Sequence, residues 1–208
     1  MNSNTNSPVV KQLVLLGGGH SHLAVLKQFG MNPVPGLALT LISADIETPY
    51  SGSLPGYISG IYDRDEIHID LRPLAQFAGA RLIQSEITRI DFEQKIIHCE
   101  GRPTINFDFI SLNIGSKPNA IKIPGASEFA IGIKPIDRFL IHWQQLYSDM
   151  LSAIGSEKKS YRFMIVGGGP ASVELAFAVQ QRIHNELKIK DYENSPLEIG
   201  IVTADKEV

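Results

Sequence analysis

Two glycine triplets, Gly17-Gly18-Gly19 and Gly167-Gly168-Gly169, are the residues of this 208-residue chain best placed to do chemistry. Each follows a short apolar run, VVKQLVLL before the first and YRFMIV before the second, and each precedes a segment with apolar residues at helical spacing. A strand that stops at glycines and restarts as a helix offers bare N–H groups and a positive dipole end to an anion. In a dinucleotide-binding turn the first glycine permits the tight bend, the second lets a diphosphate approach the backbone, and the third lets the helix pack closely. Gly17 and Gly19 fill the first two places, with His22 in the third; Gly167 and Gly169 do the same, with Ser172 in the third. One such match also arises wherever a buried strand-to-helix turn needs glycine for steric reasons. Two matches about 150 positions apart, in the same setting, point to two dinucleotide-binding units.

An acid after the second strand of such a unit holds ribose hydroxyls. Here Ser43 ends the LTLIS strand and Asp45 lies two residues further on, so Asp45 is either that ribose contact or the acid of an Asx turn. Asp205 faces the same choice in the second unit. His20 and His22, both in the first helical turn, have no third or fourth ligand nearby, and no metal site is expected. His20 at a positive helix end suits a phosphate or the edge of a bound ring.

The elements that position these residues are legible in outline. Val9 to Leu16 reads as a buried strand, His20 to Phe29 as a helix closed by Gly30, and Leu37 to Ile42 as the next strand of a parallel βαβ unit. Thr48 to Tyr62, TPYSGSLPGYISGIY, is a shaped loop dense in Gly, Pro and Ser. Arg81 to Ile90 and Lys95 to Cys99, continuing toward Phe107, read as an antiparallel meander, and Asp108 to Asn113 as a further buried strand. A linker is expected over Lys117 to Glu128 and a helix over Ile136 to Leu151. The pattern then restarts with a strand at Tyr161 to Val166, a helix at Ala171 to Ile183 and a strand at Leu197 to Val202. A dinucleotide half needs at least one more strand and helix, so the second unit reads as begun and not finished, and the chain as an inactive fragment of a longer protein.

Composition sets bounds on function. Hydrophobic residues make up 43% and charged residues 20%, with a mean hydropathy of zero, which is ordinary for a globular protein. A net charge of -3 leaves no basic excess for nucleic acid. No apolar run reaches the ~18 residues of a membrane span, and MNSNTNSPVV lacks the make-up of a signal peptide. Cys99 is the single cysteine, which excludes an intrachain disulfide or CxxC pair and fits a reducing, cytoplasmic compartment.

LVLLGGGHSHLAVL, TPYSGSLPGYISG, FDFISLNIGSKP, IKPIDRF and FMIVGGGPASVELAFAV together resemble the pyridine nucleotide-disulfide oxidoreductase superfamily. Within it they look most like the module fused, in some bacteria, ahead of selenide, water dikinase. The resemblance implies an α/β fold: a Rossmann-like FAD-binding domain with a parallel sheet and an antiparallel meander over residues 8–118, then the start of a Rossmann-like NAD(P)-binding domain over 119–208. It implies FAD on the first turn, lined by Gly17, Gly18, Gly19, His20, Ser21, Ser43, Asp45, Ser51, Gly52, Ile87, Ile114 and Gly115. NAD(P)H would lie on the second, at Gly167, Gly169, Pro170, Ala171 and Asp205. The superfamily's strand-ending ATG is altered to Asn113-Ile114-Gly115. Glu174 matches an acid placed near the two rings and would be catalytic; the other reading is a helix N-terminal acid favoured by the dipole.

PYSGSLPG stands where disulfide reductases carry two cysteines, so dithiol exchange is excluded and Cys99 reads as a small buried side chain. The leading expectation is an FAD-dependent NAD(P)H oxidoreductase passing electrons to a small-molecule acceptor, with a link to selenium metabolism and a fused kinase partner. Two alternatives are a redox-sensing module that binds without turnover and a quinone reductase of the type II NADH dehydrogenase kind.

Overall fold

The computed structural model describes residues 8–116, 123–155, 160–188 and 196–204. They form two compact units, Met1–Tyr50 with His68–Ser116 and Ser51–Ile67 with Lys117–Val208. The polypeptide leaves the first unit after Tyr50 and returns at His68.

In the first unit β1 (Lys11–Leu16) is followed by α1 (His20–Met31) and β2 (Leu37–Ser43). A short pair, β3 (Glu47–Pro49), closes against a later strand, β4 (His68–Asp70), and α3 (Leu71–Phe77) and β5 (Arg81–Gln84) come next. β6 (Ile87–Asp91), β7 (Ile96–Cys99) and β8 (Ile105–Asn106) make a meander, and β9 (Phe109–Leu112) completes the unit. The main sheet has the order β5-β2-β1-β9 and is parallel throughout. β1 is therefore central, with Leu15 opposite Leu41 on one side and Ser111 on the other.

Alternation along the strands divides the core. Val14, Leu16, Ile42 and Ile83 face the meander and pack with Ile97, Cys99 and Phe107. Leu15, Leu39 and Leu41 face the helices and pack with Leu26 of α1 and Leu71 of α3. Each fully buried leucine of these layers contributes about 1.5–3 kcal/mol, so both sides of β1 are anchored. Lys11 closes the lower end by an ion pair with Asp108 at 2.9 Å, and Asp108 also accepts from the N–H of Gln12. That guanidinium-free pairing still lowers the Asp108 carboxyl below its usual range, the Lys11 ammonium being the first cause.

Two expectations are corrected here. Arg81 to Ile90 is not one meander strand: Arg81–Gln84 joins the parallel sheet beside β2, and only Ile87–Asp91 enters the meander. The change occurs at Ser85, whose N–H donates to the carbonyl of Ser43 at 3.0 Å and ends the pairing with β2. The first helix runs through Gly30 to Met31, because the ring of Phe77 occupies the space above Gly30 and packs there in place of a side chain. The helix α3 was not anticipated. Its signal was Asp70, whose carboxylate accepts from the N–H of Arg72 and caps the first turn.

In the second unit the expected loop contains a 3₁₀ turn, Ser51–Ser53, and a short helix, α2 (Leu54–Ser59), ended by Gly60 at φ +80°. α4 (Ala126–Phe129) and the long α5 (Ile136–Gly155) precede β10 (Tyr161–Val166), α6 (Pro170–Leu187) and β11 (Leu197–Val202). β10 and β11 pair in parallel, and Arg162 meets Glu198 across them at 2.9 Å. Ile165, Leu175, Val179, Ile183, Trp143 and Met150 form the core, joined by Leu54, Ile58 and Ile67 from the excursion.

Candidate functional site

The two glycine turns are built alike. Gly17 adopts φ +91° and Gly167 φ +117°, a region open to glycine at little cost. Gly17 donates its N–H to Ile42 at 2.7 Å, and Gly167 donates to Val202 at 2.8 Å, each tying the turn to the neighbouring parallel strand. Gly19 (φ −64°, ψ 159°) and Gly169 (φ −74°, ψ 166°) cap α1 and α6. Neither helix has a side-chain cap or an acid in its first turn. The positive ends of both helices therefore keep their N–H donors for an external anion.

The middle glycines are backed by the end of the second strand in each unit. A Cβ on Gly18 would lie 3.3 Å from the Ser43 hydroxyl and 2.7 Å from Leu71. A Cβ on Gly168 would lie 2.6 Å from the Thr203 hydroxyl. Both walls carry a hydroxyl, and the chain repeats around them as Ser43-Ala44-Asp45 and Thr203-Ala204-Asp205. Asp45 is exposed, while Asp205 lies outside the described residues.

The first turn is crossed by the end of β9. A Cβ on Gly17 would sit 2.3 Å from the carbonyl oxygen of Asn113 and 2.8 Å from the Cα of Ile114, so only glycine fits. The Asn113 carboxamide covers Gly19, where a Cβ would lie 2.4 Å from it, and donates to the Ser21 hydroxyl. His22, 2% exposed, donates from Nδ1 to the Gly17 carbonyl at 2.7 Å, and its Nε2 lies 2.9 Å from the Ser111 hydroxyl. The structure thus gathers Gly17, Gly18, Gly19, Ser21, Ser43 and Ile114 at one place. Gly115, at φ +79°, follows directly. His20 is exposed and meets the ring of Tyr50 edge-on, centroids 6.2 Å apart. Ile87 opens β6 and packs toward the meander core. Ser51 and Gly52 are exposed in the 3₁₀ turn of the second unit.

Sequence reasoning passed over Ser111 and the side chain of Asn113. Their signal was polarity at alternate positions of a strand otherwise apolar, which puts both on one side of β9.

At the second turn a Cβ on Gly169 would meet none of the described residues within 4 Å, and Pro170 and Ala171 are exposed beside it. Ser172 is buried, with its hydroxyl 3.7 Å from the Cβ position of Gly167. Glu174 is exposed near the start of α6. A separate concavity of about 610 Å³ in this unit is lined by Tyr57, Ile61, Tyr62, Trp143, Tyr147 and Arg182 among others, and by no glycine-turn residue. Its Arg182 lies 4.8 Å over the Tyr147 ring, and the Tyr147 hydroxyl donates to Glu186 at 2.8 Å, so it reads as a packing seam. Burial pushes the Tyr147 phenol up from its usual range. Among the described residues no group of three His, Cys, Asp or Glu side chains is placed to hold a metal, and no helix is long and apolar enough to cross a membrane.

Paired strand-glycine-helix turns with open N-termini define a dinucleotide-binding architecture, and residues 11–198 match the family model for pyridine nucleotide-disulphide oxidoreductases. The chain belongs to that family, whose two nucleotides are FAD and NAD(P)H. It is 30% identical over 177 residues to the NADH dehydrogenase-like protein YutJ of Bacillus subtilis, covering 83% of this chain and 46% of that protein. It is 25% identical to the mitochondrial external alternative NAD(P)H-ubiquinone oxidoreductase B4 of Arabidopsis thaliana, covering 85% of this chain and 32% of the relative. The fold matches NDH2 of Plasmodium falciparum in complex with NADH, with a TM-score of 0.74 at 24% identity over 92% of this chain and 41% of that one. The sulfide:quinone oxidoreductase of Aquifex aeolicus matches with a TM-score of 0.72 at 20% identity, over 94% and 44%. The chain spans less than half the length of the curated relatives named here.

The first turn fits a dinucleotide diphosphate in its backbone: a glycine bend at positive φ leads into a helix start with no side-chain cap and no acid in its first turn.

Proposed function

We propose that this chain carries the nucleotide-binding machinery of an FAD-dependent NAD(P)H:quinone oxidoreductase. The observation that carries the reading is the repetition of one glycine-turn geometry in two units, which would give each nucleotide a turn of its own. Gly17, Gly18, Gly19 and Ser21 would hold the FAD diphosphate, Ser43 and Asp45 its ribose, and Ile87, Ile114 and Gly115 the surrounding backbone. Ser51, Gly52 and His20 would complete its surroundings. Gly167, Gly169, Pro170 and Ala171 would hold the nicotinamide nucleotide, with Asp205 at its ribose. Glu174, exposed near the head of α6, would orient the two rings or hold a proton beside them.

The flavin, when bound, accepts a hydride and releases electrons to a second substrate. The chain's part is to bind and orient. It supplies no thiol for the outgoing electrons: PYSGSLPG has none, and Cys99 is buried in the meander core. This fits a small acceptor that takes them directly, and the printed name of the Arabidopsis relative favours a quinone over a selenium-linked acceptor or a kinase-fused partner. The buried lone cysteine also fits a reducing, cytoplasmic setting.

The test uses the full-length protein. NADH or NADPH is expected to bleach the visible flavin band, and a short-chain quinone to restore it. Bound flavin that never bleaches returns the protein to a sensing role, and reoxidation by a selenium oxyanion but not by quinone supports the selenium link instead.

A further inference from the structure

The residue in the third-glycine place of the first turn is a histidine, and the structure gives it two partners. His22 joins three pieces of the unit: the first turn of α1, the glycine bend and the end of β9. A carbonyl can only accept, so Nδ1 carries the hydrogen toward Gly17, and Nε2 and the Ser111 hydroxyl share the other bond. One residue pair along, Asn113 reaches Ser21 from the same side of β9. The two rungs, Ser111 with His22 and Asn113 with Ser21, clasp the strand end to the helix start across the bend.

The consequence lies in the Gly17–Gly18 peptide. The Gly17 N–H is held by Ile42 and its carbonyl by His22. Because a trans peptide sets its carbonyl and the next N–H in opposite directions, fixing the Gly17 carbonyl also fixes the Gly18 N–H, aimed away from the imidazole. A glycine in the third place would allow close packing but hold neither group.

We infer that His22 is a positioning residue that sets the donor geometry of the FAD-diphosphate turn through the Gly17 carbonyl, with Ser111 as its support. This rests on the first turn being the FAD site. The test measures FAD dissociation constants by equilibrium dialysis, and apoprotein melting temperatures in parallel, for the full-length wild type, His22→Gly, Ser111→Ala and the double variant. His22→Gly is expected to weaken FAD binding about 10- to 100-fold, and Ser111→Ala about 3- to 10-fold. The double variant is expected to bind no more weakly than His22→Gly, since Ser111 acts through the imidazole. Ser111→Ala removes one hydroxyl and keeps the packing, so it reports even where His22→Gly folds poorly. Lower melting temperatures with FAD affinities equal to wild type would overturn the positioning role alone. A folded wild type that takes up no FAD would overturn both this role and the assignment of the turn.

Discussion

Gly19 and Gly169 stand at equivalent places, yet the space beside their Cα atoms differs. A carboxamide from Asn113 fills it at Gly19, whereas no described residue lies within 4 Å at Gly169. The bends share a positive φ at the first glycine, a bond to the neighbouring strand and a glycine helix cap, so the backbone answers to a common requirement while the side chains around it do not. The first turn is clasped from β9 through His22 and Asn113; among the described residues the second carries no such clasp.

The largest effect is expected where the first turn is most confined. Gly17→Ala puts a methyl 2.3 Å from the Asn113 carbonyl at a φ of +91°, and should cost more than about 3 kcal/mol of stability. Chemical denaturation would show it, and a loss under about 1 kcal/mol would break the claim that β9 presses on the bend.

The contrast between the two capping glycines sharpens next. Gly19→Ala must displace the Asn113 carboxamide and should cost about 1–3 kcal/mol. Gly169→Ala, whose methyl would meet no described residue within 4 Å, should stay within about 0.5 kcal/mol of wild type while weakening NAD(P)H binding by about tenfold or more, because the second glycine of such a turn lets the backbone approach the diphosphate. Calorimetric titration beside thermal melts separates the two quantities, and equal stability losses at both sites would erase the contrast.

Acid should affect the second unit through His184, a buried imidazole on α6 that has lost its water and is therefore pushed below its ordinary pKa. The unfolded chain then takes up the proton more readily than the folded one. Stability is complete above the free value of about 6.5 and drains as the pH falls toward the depressed one, by at most about 1.4 kcal/mol per pH unit from this group. Urea midpoints at pH 7.5 and 5.5, on wild type and His184→Gln, should show a smaller acid loss in the variant.

The smallest effect belongs to Cys99. Burial raises its thiol pKa, so a thiol reagent should label the native protein slowly and the unfolded protein fast, and Cys99→Ala should leave flavin bleaching by NADH at its wild-type rate. Rapid native labelling would place the thiol at the surface.

Much of this was legible in the sequence because glycine and apolar period carry local information. Both bends, β2, β10 and β11 fall where Gly17, Gly167 and the runs around Leu41, Ile165 and Ile201 placed them. The division of Arg81 to Ile90 was not legible, since Leu82 and Ile83 look alike whether the partner is β2 or the meander; only the bond from Ser85 to Ser43, 42 positions earlier, decides it. Asn113 over Gly19 is likewise a contact between residues remote in sequence. Thr48 to Tyr62 reads as a shaped loop, and nothing local in it tells that Leu54, Ile58 and the nearby Ile67 join a core with residues of α5 and α6.

That excursion also dictates how the protein can be divided. A piece ending near Ser116 would keep residues 51–67 and lose everything Leu54, Ile58 and Ile67 pack against, leaving a sticky apolar flap on the first half. Pro49 and His68 are paired across β3 and β4, so a short hairpin linker from Tyr50 to His68 should close the gap without disturbing either strand. The first half is best expressed with its excursion excised, and the second with residues 51–67 supplied as a separate peptide or grafted onto its N-terminal end.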